Sequence, residues 1–465
     1  MLFNSPVFLF CFLPVTLMGY FILNHRNHPD MAKGWLFIAS LFFYSWWNPA
    51  YLPIILGSMT FNYFVGRQLN TTNKKTGKKT ILTIGVMANL GLLIFFKYTD
   101  FLIENVNGLF ASELSLLYIT LPLAISFFTF QQIAYLVDSY KGLTGEYSFF
   151  NYGLFVSFFP QLIAGPIVHH SEMMPQFYSK ENKLFSYENF IRGIFMFFMG
   201  LGKKVIIADT FAIFANYGYS DTAGLTLSDG WVTSLAYAGQ LYFDFSGYTD
   251  MAIGAALMFN IKIPINFNSP YKAQSIQDFW RRWHITLSRF LRDYIYIPLG
   301  GNRNGEYKTL SNLMITFIIG GIWHGAGWTF VFWGFLHGAA LIVHRVWQRA
   351  NIRLPKIICI ILTFNFVNIA WIFFRAEKWS DAINVLSAMF GFGTASNFTI
   401  NVITDIYSLP IALFGIILLF HKNTNELLSE FKPSKKYLAQ TVGLVMMGLL
   451  FLNSITANDF LYFDF

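Results

Sequence analysis

Charge is what this chain is short of. Only 12% of its 465 residues are charged, while 55% are hydrophobic. Soluble domains carry roughly 25% charged residues, so the composition excludes a soluble protein and points to one embedded in a membrane. Cysteine is scarce as well. Cys11 and Cys359 are the only two, each inside an apolar stretch, which leaves no basis for a disulfide framework or a cysteine-based metal site. No HExxH or CxxC pattern occurs, so zinc chemistry is not expected and no metal site is assigned. No low-complexity tract or hydrophilic domain is present. A strong internal repeat and an inverted pair of halves are also missing, which weighs against a secondary transporter. Lys and Arg are absent before Arg26. The N-terminal apolar run therefore lacks the positive region of a signal peptide and is expected to be a retained first span.

Aromatic residues and positive charge are what the chain has in excess. The 54 Phe residues suit lipid-facing helices and interfacial belts. The net charge of +8, set among so many apolar segments, reads as an orientation signal and as attraction to anionic lipid headgroups. Membrane lipid is the expected partner, and nucleic acid is not. The apolar segments predict an all-α polytopic membrane protein with roughly ten to twelve crossings at about 20 residues each. Several segments are shorter than that. Those around Pro49 and His324 are expected to be broken or re-entrant, which is tolerated where protein shields the backbone.

Basic loops set the expected orientation. Arg67, Lys74, Lys75, Lys78 and Lys79 cluster in one short polar loop, which places it in the cytosol. The following loop, 98–115, carries Asp100, Glu104 and Glu113 and suits the far side. Counting back puts the N-terminus outside. Arg303, Lys308, Arg345, Arg349, Arg353 and Lys356 are also assigned to the cytosolic side.

The stretch from Asp278 to His337 organises the rest. It opens with DFWRRWHITLSRFLRDYIYIPLGGNRNG. Trp280, Trp283, Leu287, Phe290 and Tyr294 recur at three- and four-residue steps, which predicts an amphipathic helix with one apolar face. Arg281, Arg282, Arg289 and Arg292 give it a basic side, and Pro298 with Gly300 and Gly301 ends it. Such a helix is expected to lie in the membrane interface. The stretch closes with GGIWHGAGWTFVFWGFLHG. His324 stands there between two apolar segments, and an ionisable group at membrane depth is a functional-site hypothesis by default. A neutral imidazole, with a reference pKa of about 6.5, suits the role of general base; the alternative is a structural histidine bonded to a neighbouring helix. From Lys308 a helix rising 1.5 Å per residue would climb about 24 Å, so His324 is expected deep in the outer half and His284 near the inner surface. His284 is read as a second catalytic group, a donor contact or an interfacial histidine. His337, in WGFLHG, is the weaker candidate. Gly334 and Gly338 around it have the small-xxx-small spacing of tight helix packing. Asp244 and Asp250, in YFDFSGYTDMAIG, must pair or line a cavity. Lys203 and Lys204, in GKKVIIAD, are placed at an interface.

Taken together, DFWRRWHITLSRFLRDYIYIPLGGNR and GGIWHGAGWTFVFWGFLHG resemble the membrane-bound O-acyltransferase (MBOAT) family, in particular its bacterial branch that acetylates alginate and related exopolysaccharides. FPQLIAGPI, KKVIIAD, YFDFSGYTDMAIG and WIFFRAEKWSDA are similar to that branch in the same order, as are FNSPVFLFCFLPV and FYSWWNP near the start. The resemblance implies a ring of about 11 transmembrane helices, with re-entrant and interfacial helices around a central tunnel. It is expected to form one integral domain over 1–465, with peripheral N-terminal helices at 1–140, a catalytic core at 150–345 and C-terminal helices at 355–465.

By the same resemblance His324 is the catalytic histidine and His284 the second family position. The implied reaction takes an acetyl group from a cytosolic donor, acetyl-CoA, with no bound cofactor. It delivers that group across a bacterial inner membrane to an exopolysaccharide such as alginate, directly or through a periplasmic SGNH-type partner. Arg281, Arg282 and Arg289, with Arg292, would attract the donor's phosphates. Peptidoglycan O-acetylation and teichoic-acid D-alanylation use the same fold and are the alternatives. A transporter is the weaker rival.

Overall fold

The computed structural model describes residues 1–145, 147–393, 408–432, 434–452 and 460–461. The parts of the expected C-terminal region at 394–407, 453–459 and 462–465 lie outside the described residues. Among the described residues the chain is helical, with no strand. An apolar medium offers the backbone no partners, so a chain this hydrophobic must satisfy its peptide groups within helices. The first ten are α1 (Leu13–His25), α2 (Pro29–Ser45), α3 (Leu52–Thr71), α4 (Lys75–Lys97), α5 (Thr99–Phe110), α6 (Ile125–Tyr140), α7 (Phe149–Ser157), α8 (Phe159–Leu162), α9 (His170–Tyr178) and α10 (Tyr187–Gly202). There follow α11 (Asp209–Ser220), α12 (Leu227–Met258), α13 (Ile276–Trp280), α14 (Ile285–Leu291), α15 (Glu306–His324), α16 (Trp328–Arg349) and α17 (Lys356–Arg375). The last are α18 (Trp379–Met389), α19 (Ser408–Phe420), α20 (Thr424–Ser429) and α21 (Lys435–Phe451).

Four segments of the described residues are long and apolar enough to cross a bilayer: Phe8–His25, Lys75–Lys97, Trp328–Arg349 and Lys356–Arg375. Others fall short in length, since α2, α6 and α21 have 17, 16 and 17 residues against the roughly 20 a crossing takes. The long α12, with 32 residues, falls short in hydropathy because Asp229, Asp244 and Asp250 interrupt it.

The chain divides into two compact units. The first comprises Met1–Phe197 and Met251–Pro264. Its rings pack edge to face, with Phe8 5.8 Å from Phe43 and 6.0 Å from Phe159. Buried amides join α3 to α4: Asn62 Nδ2 donates to Asn89 Oδ1 at 3.0 Å, and Asn89 Nδ2 donates back at 2.6 Å. Interhelical amide bonds of this kind hold apolar helices in register where no hydrophobic force can.

The second unit comprises Phe198–Asp250 and Ile265–Phe465. Its central feature is the antiparallel hairpin of α15 and α16. A Cβ on Gly321 would collide with the Phe330 carbonyl oxygen, and one on Gly334 with that of Phe317. The two helices meet where those side chains are absent, as the small-residue spacing around His337 predicts. The lysines of the KKVIIAD segment turn into the protein. Lys204 is buried and bonds Asp209 at 2.7 Å and Asp244 at 3.0 Å, while Lys203 bonds Asp250 at 2.6 Å. The lysines are inside because they neutralise the aspartates. Breaking such a buried pair from one side costs about 3–5 kcal/mol.

Candidate active site

The predicted amphipathic helix over 278–294 is not one helix, and its apolar face packs against protein. α13 ends at Trp280, α14 begins at Ile285, and a π-helical turn runs from Arg292 to Tyr296. The break is His284, held in the left-handed region at φ 41°. That conformation is strained for a residue with a Cβ, though His adopts it more readily than most. Trp280, Trp283, Leu287 and Phe290 are buried within the second unit. Their shared face belongs to the protein interior, because aromatic partners from α12 and from the later helices cover it. Phe279 stacks on Trp283 at 5.7 Å, and Trp283 meets Trp371 at 4.9 Å.

His284 is completely buried and its tautomer is set by one neighbour. Its Nδ1 lies 3.1 Å from Asn266 Oδ1. The same oxygen takes the Thr286 backbone N–H at 3.2 Å and the Thr286 hydroxyl at 3.0 Å. A backbone N–H only donates, so this atom of Asn266 is the carbonyl oxygen and His284 Nδ1 carries the proton. Nε2 is therefore the ring's acceptor. His284 stands outside the four candidate spans, and burial pushes its imidazole down to about 3, which keeps it neutral.

His324 is the last residue of α15. Its ring is boxed edge-on by Trp323 at 4.9 Å, Trp333 at 5.0 Å and Phe374 at 5.0 Å. The two histidine rings are 6.5 Å apart. The expectation that they sit at opposite depths is thus overturned. The strained turn at His284 carries its ring inward, to the level at which α15 ends. The pair lies inside one fold unit, contacted also by Phe245, 4.8 Å from His284.

His337 accepts the Trp280 indole N–H at Nδ1, 3.2 Å away, and is ringed by Trp280, Phe317, Trp333 and Phe366. An imidazole committed to an indole donor in an aromatic cage reads as structural. Of the four arginines assigned to the donor, Arg281 and Arg292 are exposed, Arg289 is half-buried, and Arg282 is engaged by Asp278 at 2.8 Å and by the Asn268 carbonyl oxygen at 3.3 Å. The sequence reading missed Asn266, whose only signal was an amide in a polar stretch. It also missed Trp333 and Phe374, which carried none beyond being aromatic. No group of three or more metal-ligating side chains occurs among the described residues.

The profile of the MBOAT, membrane-bound O-acyltransferase family matches residues 7–377. The chain belongs to the membrane-bound O-acyltransferase family. It is 48% identical to the peptidoglycan O-acetyltransferase of Helicobacter pylori over 100% of this chain and 98% of that protein. It is 41% identical to the probable alginate O-acetylase AlgI of Pseudomonas aeruginosa, over 85% of this chain and 76% of that protein. A teichoic acid D-alanyltransferase of Bacillus subtilis is 28% identical over 55% of this chain and 69% of that protein. The matched span takes in both His284 and His324, and as a member of this family the protein is a membrane acyltransferase.

Proposed function

We propose that this acyltransferase moves an acetyl group from cytosolic acetyl-CoA to a hydroxyl of a cell-envelope glycan on the outer side of a bacterial inner membrane. The glycan is peptidoglycan. Support for that acceptor is the likeness to the H. pylori peptidoglycan O-acetyltransferase, which spans the whole chain at 48%. The exopolysaccharide reading, alginate in particular, is second, favoured by the 41% likeness over 85% of the chain. The acetyl group reaches the glycan directly or through a periplasmic SGNH-type partner. In this reading about 11 helices ring a tunnel, and the N-terminus is outside.

The observation that carries the reading is the pair of buried imidazoles 6.5 Å apart. His324 takes the proton of the attacking hydroxyl. The hydroxyl oxygen bonds to the thioester carbonyl carbon, and the carbon–sulfur bond breaks as the tetrahedral intermediate collapses. The thiolate recovers the proton from His324 and leaves as a thiol. His284, its Nδ1 proton committed to Asn266, offers one acceptor nitrogen beside this exchange and acts by positioning. Aromatic walls exclude water, which would otherwise hydrolyse the thioester.

His324→Ala, purified and reconstituted, should transfer labelled acetyl from acetyl-CoA about 10²–10⁴-fold more slowly if the ring is the general base. Transfer at the wild-type rate would remove that assignment. A cell lacking the protein should lose O-acetyl groups from peptidoglycan. Loss from an exopolysaccharide instead would select the second reading.

A further inference from the structure

An apolar cleft of about 460 Å³ opens in the second unit between α11, α12, α17 and α19, within the size range of small-ligand sites. α19 lies tight against α11, since a Cβ on Gly415 would run into Ile207 and Phe211. Ile361 on α17 and Ile416 on α19 stand on the cleft walls and stay about half exposed. Among the described residues only Tyr271 and Asn365 line it with polar side chains. The Tyr271 hydroxyl donates to the Ala238 carbonyl oxygen at 2.7 Å, and the Asn365 amide donates back to the Ile361 carbonyl oxygen at 2.9 Å. Both are turned to the backbone. A polar metabolite would lose its water here and gain little in return, whereas an aliphatic chain loses nothing. We infer that the cleft binds an anionic phospholipid, with an acyl chain between the helices and the phosphate on a rim of lysines.

The charges fit. Ile357 and Phe420 mark one end of the cleft. Lys356 precedes the first, and His421 and Lys422 follow the second. The turn Pro270–Lys272 touches both α17 and α19 and brings Lys272 to the same end, where its ammonium donates to the His421 carbonyl oxygen. An ammonium has three N–H donors, so two remain. The acidic groups nearby are engaged, Glu430 with Lys422 and Glu426 with the Asn423 backbone N–H. Lys272 and Lys356 therefore carry the site. Lys356 belongs to the basic run assigned above to the cytosol, the side whose anionic lipid surface attracts lysines.

Length chooses the occupant. From Ile357 to Asn365 on α17, and from Ala412 to Phe420 on α19, the walls run about 12 Å at 1.5 Å per residue. One leaflet supplies about 15 Å, half of a hydrocarbon core of about 30 Å. A lipid chain from the leaflet at the lysine end matches that depth. A partner's transmembrane helix would meet these walls along less than half of its span. The lipid also has something to brace. Tyr271 meets Phe364 of the cleft wall at 5.2 Å and stacks on Trp283 at 6.3 Å, and Trp283 directly precedes His284.

The test is native mass spectrometry of the purified full chain released from nanodiscs of phosphatidylcholine doped with phosphatidylglycerol. The wild type should retain phosphatidylglycerol. Lys272→Gln and Lys356→Gln should each weaken that retention about fivefold, the worth of one lysine at an anionic surface. Lys79→Gln, an exposed lysine of the first unit, should leave it unchanged. Ile416→Trp fills the cleft and keeps every lysine, so it should displace the lipid; a rim that holds headgroups by charge alone would keep it. Phosphatidylglycerol should raise the midpoint of thermal aggregation of the wild type, and folded Ile416→Trp should no longer respond. Equal retention by folded Ile416→Trp, or by the two lysine variants combined, would overturn the site. Phosphatidylcholine retained as firmly as phosphatidylglycerol would overturn the anionic headgroup. A photo-crosslinking residue at Leu413 that captures a polypeptide in cells instead of lipid would make the cleft a protein interface and sink the lipid.

Discussion

A single carboxamide, Asn266, decides which nitrogen of His284 is basic. Three donors converge on its oxygen, and only one of them belongs to the histidine. Asn266→Ala should therefore lower the turnover of acyl transfer about tenfold to hundredfold, the range found when outer partners of metal-binding histidines are removed. Thr286→Val removes one hydroxyl donor and leaves the oxygen facing His284, so its turnover should stay within a few-fold of wild type. If both variants slow equally, Asn266 acts on the local backbone and not on the imidazole. The sequence made His284 and His324 visible and Asn266 invisible for one physical reason. A titratable ring in an apolar run costs free energy that something must justify, whereas an asparagine in a polar loop costs nothing and raises no question.

Helices tell a similar story one level up. The hairpin of α15 and α16 was legible because glycine spacing reports how closely two backbones approach, and that approach is local to the two helices. Gly321→Ala and Gly334→Ala each drive a methyl into a carbonyl oxygen. Each should cost about 1–3 kcal/mol, as overpacking does, and lower the midpoint of thermal aggregation in detergent. At Gly57 an added methyl would meet nothing within 4 Å, so alanine there should leave that midpoint where it is. A Gly334→Ala protein as heat-stable as wild type would mean the hairpin is not clasped there. The 278–294 segment was misread for the opposite reason. Its apolar spacing is helical on both sides of His284, and a left-handed residue that is not glycine leaves no mark in a hydrophobic pattern. The same spacing suits a face in lipid or a face under other helices. Only the partners, Tyr242 and Trp371 among them, distinguish the two, and they come from other parts of the chain.

Across the whole molecule, the reaction has a direction only if the chain has one. α4 is the clearest ruler. Its 23 residues span about 35 Å at 1.5 Å per residue, enough for a hydrocarbon core of about 30 Å. Lys74, Lys75, Lys78 and Lys79 crowd its start, and Asp100 and Glu104 follow its end. Loops rich in Lys and Arg stay in the cytosol, so a cysteine at position 78 should react with an impermeant maleimide only in inverted vesicles. One at position 113 should react in intact cells. Arg345 and Arg349, at the end of α16, fall on the cytosolic side by the same rule, the side from which the proposed thioester donor would come. A Lys78→Cys protein labelled from outside would turn the molecule over. The histidine pair would then need its acyl donor from a source other than a cytosolic nucleotide.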